Sequence, residues 1–232
     1  MKIKYLILLL AVFPLFSCEE NNKPEEEDDF SGTSGTFTDD RDGEEYDWVR
    51  IGDQIWMAEN LRTTLYNDGT PIPNVTSDDE WYEFGTPAYC WCDNLEGQYK
   101  IPYGTLYNWH AIYTGKLAPI GWHVPSKEEW ETLLDFIGEG TGAGGELKET
   151  GTSHWLSPNT GATNSTGFTA VPAGRRTSDF DLFRMSAIFW SYSKRFSDQA
   201  WSLALEYNTV GSIITGQRLH HGCSVRCVKD DF

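Results

Sequence analysis

The clearest element in the chain begins at Ser126, and it shapes the reading of the rest. Ser126 and Glu129 stand three apart behind Pro125, the pattern of a reciprocal helix cap. Trp130, Leu133, Leu134 and Ile137 follow at helical spacing, and Gly138 stops the run. The spacing predicts one helix with Trp130 turned into the core. A second, shorter aromatic helix is expected over residues 106–113. Elsewhere the period is two. Residues 37–60 read as a meander in which Asp40-Arg41-Asp42-Gly43 turns one strand into the next. Gly52-Asp53 then turns into Gln54-Ile55-Trp56-Met57. Further short strands are expected at residues 168–171, 187–191, 200–205 and 223–228. The Gly/Thr/Asn-rich residues 138–167 are too long for an ordinary connection and read as a functional loop. No repeat or boundary divides residues 46–232, so a single domain can bury ~70% of its chain surface. The expected class is α+β, with a mostly antiparallel sheet, two short helices and long loops.

Composition excludes more than it assigns. Eighteen Lys and Arg face 35 Asp and Glu, a formal charge of −17. Phosphate backbones are bound by clustered cations, so no nucleic acid partner is expected. Aromatic residues at 14%, ten of them Trp, rule out a disordered chain. Asp40, Asp42 and Glu44 lack the spacing and closing Glu of a calcium-binding helix–loop–helix and read as a solvated hairpin tip. Gly140-Thr141-Gly142-Ala143-Gly144-Gly145 matches G-x-G-x-x-G, but it follows a helix where a dinucleotide site needs a strand. No cofactor and no metal is expected.

The first residues carry an address. Lys2 and Lys4 precede a twelve-residue apolar run, residues 5–16. As a helix it would rise about 18 Å, against ~30 Å of bilayer hydrocarbon. It reads as a secretory signal over residues 1–17 and not as a span. Leu15-Phe16-Ser17-Cys18 looks like a bacterial lipoprotein cleavage box, with Cys18 lipidated as the new N-terminus. At about 0.8 kcal/mol per buried CH₂, two or three acyl chains would make the anchor effectively permanent. Loss of Lys2 and Lys4 takes the charge from −17 to −19, and 13 acidic residues lie between Glu19 and Asp47. Residues 18–36 are expected to form a disordered acidic tether lifting a domain, residues 37–232, off the membrane. The expected location is the bacterial cell envelope, as an outer-membrane lipoprotein exposed at the cell surface.

Five cysteines are an odd number for an exported protein. Assigning Cys18 to lipid leaves Cys90, Cys92, Cys223 and Cys227. An oxidising compartment favours two disulfides joining the segment near residue 91 to the C-terminal strand. A metal site using His220 or His221, or redox-active thiols, are the alternatives.

Seven strings in register then resemble one family. They open with Val49-Arg50-Ile51-Gly52-Asp53-Gln54-Ile55-Trp56-Met57-Ala58-Glu59-Asn60-Leu61 and continue with Tyr103-Gly104-Thr105-Leu106-Tyr107-Asn108-Trp109. Gly121-Trp122-His123-Val124-Pro125-Ser126 and Glu146-Leu147-Lys148-Glu149-Thr150-Gly151 follow. Ala162-Thr163-Asn164 leads on to Gly167-Phe168-Thr169-Ala170-Val171-Pro172-Ala173-Gly174-Arg175. Phe189-Trp190-Ser191 and Ser224-Val225-Arg226-Cys227-Val228 close the set. Together they resemble the Fibrobacter succinogenes major paralogous domain family, over nearly all of residues 37–229. The resemblance implies secreted or lipid-anchored bacterial proteins and a C-type-lectin-like domain, in the variant seen in formylglycine-generating enzymes. It implies a two-helix core and a loop-rich ligand half, here about residues 138–165 and 173–186. Cys90 and Cys227 fall where members commonly carry cysteine, whereas Cys92 and Cys223 do not. The resemblance therefore suggests Cys90–Cys227 and Cys92–Cys223 as the bridges, an antiparallel register that needs one bulge.

Catalytic motifs are missing. There is no nucleophile elbow, no H-E-x-x-H helix and no phosphate loop. His123 reads as a satisfied structural residue, and His220-His221 as a loop pair. The chain is expected not to be an enzyme but a surface module binding glycan or protein. Trp81, Tyr82, Trp91 and Trp155 are the candidate stacking residues. The alternatives are an enzyme related to formylglycine-generating enzymes, with Cys223 and Cys227 as copper thiols, or a structural subunit of the cell surface. The Glu-Pro-Asn and Gln-Pro-Asp loops of calcium-dependent lectins are not found.

Overall fold

The structure is a computed structural model that describes residues 28–83, 85–138 and 142–230. The leader, Cys18 and the tether up to residue 27 lie outside the described residues.

The predicted meander forms. β1 (Ser34–Asp39) and β2 (Glu44–Ile51) pair antiparallel, and β3 (Gln54–Met57) pairs with β2. The turn closes on Gly43, whose φ of 71° suits a residue without Cβ. Next come α1 (Asp78–Glu83), β4 (Tyr89–Trp91), α2 (Glu96–Tyr103), β5 (Thr105–Tyr107), α3 (Trp109–Tyr113) and β6 (Trp122–His123). α4 (Lys127–Ile137), α5 (Ala143–Leu147), β7 (Arg175–Arg176) and β8 (Phe180–Asp181) follow. The chain ends with β9 (Ser186–Phe196), β10 (Gln199–Glu206), β11 (Ser212–Arg218) and β12 (Val228–Lys229). One sheet runs β1-β2-β3-β12-β6 and another β11-β10-β9, while β4-β5 and β7-β8 are two-stranded ribbons. All strand pairings are antiparallel. The class is α+β.

The two-residue period explains why the larger sheet is covered on both sides. Tyr46 and Trp48 of β2 enter one core with Phe37, Trp109 and Trp190. Val49 and Ile51 enter a second with Trp56, Trp130 and Phe168. A third, smaller core gathers Trp81, Cys90, Leu106 and Val171. α4 carries the predicted cap: the Ser126 hydroxyl accepts from the Glu129 N–H, and the Glu129 carboxylate accepts from the Ser126 N–H. Trp130 is fully buried against Trp56, ring centroids 4.5 Å apart.

Several expectations change. Among the described residues five short α-helices replace two, and of these only α4 exceeds eight residues. Residues 106–113 divide into β5 and α3, because Asn108 caps the latter by accepting from the Ala111 N–H. Residues 168–171 form no strand. Thr169 sits at φ 54°, and buried Arg226 draws the Phe168 and Thr169 carbonyls to its guanidinium. Of the expected C-terminal strand at residues 223–228, only Val228 falls in a strand, β12. The tether ends earlier than expected: Phe30 packs on Trp48 and Trp122, and Arg50 donates to the Phe30 and Gly32 carbonyls.

The expected Cys90–Cys227 and Cys92–Cys223 bridges are not formed; all four thiols are free and buried. β5 stands between the partners. Cys90 lies opposite Leu106, while Tyr107 bridges Cys223 on the other edge of β5. Two strand spacings, about 10 Å, exceed what a disulfide spans. Alternation also turns them apart. Cys90 follows Leu106 into the third core, and Cys223 joins Tyr107 and Cys227 in the first. Cys92 points its sulfur at the Ala173 carbonyl, 3.9 Å away, on the Cys90 side.

Candidate functional site

Three of the four stacking candidates are core residues. Trp81, Trp91 and Trp155 are at most 2% exposed. Arg176 lies over the Trp81 ring at 4.7 Å, Trp91 meets Tyr89 edge-on, and the Trp155 indole donates to the Ala170 carbonyl at 2.9 Å. None offers a ring face to a ligand. Tyr82 does, at 58% exposure, standing edge-on to His220.

A larger exposed aromatic surface lies beyond His220. Trp109 and Tyr113 come from consecutive turns of α3 and stack at 4.8 Å. Tyr113 stacks in turn on Tyr192 of β9, 6.2 Å away. Lys194 holds its ammonium 5.3 Å from the Trp109 ring and 5.7 Å from Tyr113. One residue on, the Arg195 guanidinium lies over Phe196 at 5.1 Å and Trp201 at 4.6 Å. Lys127 approaches the same Trp201 at 5.4 Å. Tyr113, Tyr192 and Phe196 are 60%, 43% and 58% exposed. β9 builds this surface because its buried half ends at Ser191, after which its side chains are no longer covered.

The electrostatics of the face oppose the charge of the chain. Lys194, Arg195 and Arg218 are exposed, and none pairs with a carboxylate among the described residues. Burial, then Lys194, lowers the His110 pKa. Burial, then Arg218 and His110, lowers that of His220. His221, packed edge-on to His220 and 3.0 Å from the Gln217 side-chain oxygen, is pulled to about 3 by burial and then by His220, Arg175 and Arg218. The three imidazoles are neutral near pH 7. At the far end Tyr82 borders an acidic cleft with Asp78, Asp79, Glu80 and Ser178.

Below Tyr192 opens an apolar pocket of about 260 Å³, walled by Ile112, Leu117, Trp122 and Val124. His123 and Glu129 stand at its rim. Nε2 of His123 meets Glu129 and Nδ1 meets Asp230, each at 2.6 Å. The Glu129 hydrogen bond, against some burial and with help from Asp230, raises its pKa to about 9. A cationic imidazole with both nitrogens engaged has no lone pair for general-base work. The Ser126 hydroxyl oxygen at the same rim accepts from the Glu129 N–H in the α4 cap. His154 is held by Glu149 at 2.8 Å, and Lys148 donates to the carbonyls of Thr160, Glu206 and Thr209. Burial pushes the thiols of Cys90 and Cys92 up to about 12 and raises those of Cys223 and Cys227 as well. Among the described residues no three His, Cys, Asp or Glu side chains gather as a metal site. The arrangement can stack, hydrogen-bond and attract charge.

Sequence reasoning missed Tyr113, Tyr192 and the cations beside them. One signal was available: Lys194-Arg195 is one of two places where basic residues adjoin in this acidic chain, and it is flanked by aromatics. No curated protein and no solved structure matches the chain. The model of the Fibrobacter succinogenes major domain matches residues 49–229, and the chain belongs to that family.

Proposed function

We propose that the protein is a non-catalytic, lipid-anchored module of the bacterial outer membrane, exposed at the cell surface, that binds carbohydrate through its aromatic face. The observation that carries this reading is the exposed, stacked pair Tyr113 and Tyr192, with Phe196 exposed at the end of the same strand as Tyr192. Flat rings cover the C–H faces of sugars, and the neighbouring polar groups meet their hydroxyls. A C-type-lectin-like ancestry fits the long loops, although this face is built from α3 and the β9–β10 hairpin instead. Fold kinship by itself confers no function. The copper reading has less support, since Cys223 and Cys227 are wholly buried and leave a metal no path without opening the core.

A glycan array with and without calcium tests the proposal, using the whole protein and the Tyr192→Ala variant. The expected result is binding to a subset of glycans, independent of calcium and lost in the variant. Removing one stacked ring of this kind costs about 1 kcal/mol or more. Binding to no glycan under either condition, or binding untouched by Tyr192→Ala, would reject it.

A further inference from the structure

We propose that the ligand of the aromatic face is an acidic polysaccharide, held by rings beneath and by Lys194 and Arg195 at its carboxylates. The inference rests on the carbohydrate reading and adds the sign of the ligand's charge. Stacking alone does not decide that sign, because a sugar ring covers Tyr113, Tyr192 or Phe196 equally well whether or not it carries a carboxylate. The cations decide it. Each lies over an exposed ring, so a sugar stacked beside it comes within reach of an ammonium or guanidinium. Arg218 adds a third, two strands along: Phe196 pairs with Gln199, and Gln199 with Arg218.

Composition makes these three conspicuous. Acidic residues outnumber basic ones 35 to 18, and other cations of the fold are taken up. Exposed Lys116 binds Asp68 at 2.8 Å, Arg175 binds Asp181, and Arg50 and Arg184 are spent on backbone carbonyls. Among the described residues Lys194, Arg195 and Arg218 remain without a carboxylate, in a protein that has carboxylates to spare. The acidic first turn of α1 beyond Tyr82 closes that end to an anionic chain. The polymer therefore stacks on Tyr113 and Tyr192, with Phe196 at the end of β9 as a further contact, and stops short of Tyr82.

Affinity electrophoresis of the whole, detergent-solubilised protein through gels containing polygalacturonate or dextran tests this. Retardation by polygalacturonate and not by dextran is expected, weakening as salt rises. Lys194→Glu with Arg195→Glu should reduce polygalacturonate affinity about ten-fold. The far-ultraviolet dichroism of the variant should stay unchanged, since both side chains are exposed. Equal retardation by dextran that ignores the charge reversal would overturn this inference and leave the carbohydrate reading standing. Retardation by neither polymer would overturn this inference, and the array separately decides the carbohydrate reading. Duplex DNA bound as well as polygalacturonate, with Tyr192→Ala harmless, would reduce the face to a plain polyanion surface and also overturn the inference.

Discussion

Arg226, Arg176 and Lys148 carry their charges inside the protein, and backbone carbonyls take most of their hydrogen bonds. Arg226 donates to the carbonyls of Met57, Phe168 and Thr169 and to the Asn60 side chain. Such a residue replaces the missing strand at residues 168–171 by collecting the acceptors that a ladder would have used. Glycine does comparable work nearby. A Cβ on Gly144 would fall 2.0 Å from the Gly211 carbonyl oxygen, and one on Gly145 would fall 2.3 Å from that of Gly161. Gly144 and Gly145 are thus required by close packing. His123 yields a prediction with a sign. Its folded pKa is raised to about 9 by Glu129 and Asp230. The ion pairs therefore stabilise fully below an unfolded pKa of about 6.5 and are lost as pH rises through about 9. Because the imidazole is 40% exposed, the contribution is about 1 kcal/mol at most. Urea unfolding should find His123→Gln less stable than the parent at about pH 6 and equal to it above about pH 10. A deficit of the same size at both ends would mean that packing, not charge, is what the imidazole supplies.

At the scale of elements, legibility followed local chemistry. The β1–β2–β3 meander and α4 could be read because Asp42-Gly43 and the Ser126–Glu129 cap write their geometry into neighbouring residues. β11 could not, because Ser212–Arg218 has a mixed pattern, half-buried on both faces against β10. The tryptophans misled for a related reason. With cores on both sides of the main sheet and a third under α1, alternation says which residues face apart but not which face meets solvent. Trp155 sits in a Gly/Ser/Thr-rich loop and is still buried, since that loop is packed down by Arg184 donating to the carbonyls of residues 152–155. The cysteines fail as pairs because β5 lies between them, which is a fact of topology and not of spacing. Native protein should not react with dithionitrobenzoate at Cys90, Cys92, Cys223 or Cys227. Unfolded without reductant, Cys90, Cys92, Cys223 and Cys227 should titrate as four thiols. A count of two or none would show that the chain is bridged and that the segment around β5 is arranged differently.

The whole molecule is tied together by its last residues. Between Gly222 and Lys229 the chain bridges Arg176, Tyr107 and Phe189, then inserts β12 between β3 and β6. Along the way the Val225 carbonyl accepts from Leu61, the Cys227 carbonyl from Met57, and Arg226 reaches the carbonyls of Met57 in the first core and Phe168 in the second. One short segment thereby joins elements from every sheet and closes the main one, so most of the fold waits on contacts with the far end of the sequence. Long-range closure of this kind makes folding slow and unfolding cooperative. The face proposed for ligand adjoins it too, since Tyr107, two residues before Trp109, exchanges both backbone hydrogen bonds with Cys223. Full-length protein should therefore lose far- and near-ultraviolet dichroism in one coincident thermal transition. A chain ending at residue 221 should show no such transition, because β3 and β6 lose their shared neighbour and buried Asn60 loses Arg226. If the truncated chain instead kept a cooperative transition, the meander and the β9–β11 sheet would be independent units. The C-terminal segment would then decorate the fold and not close it.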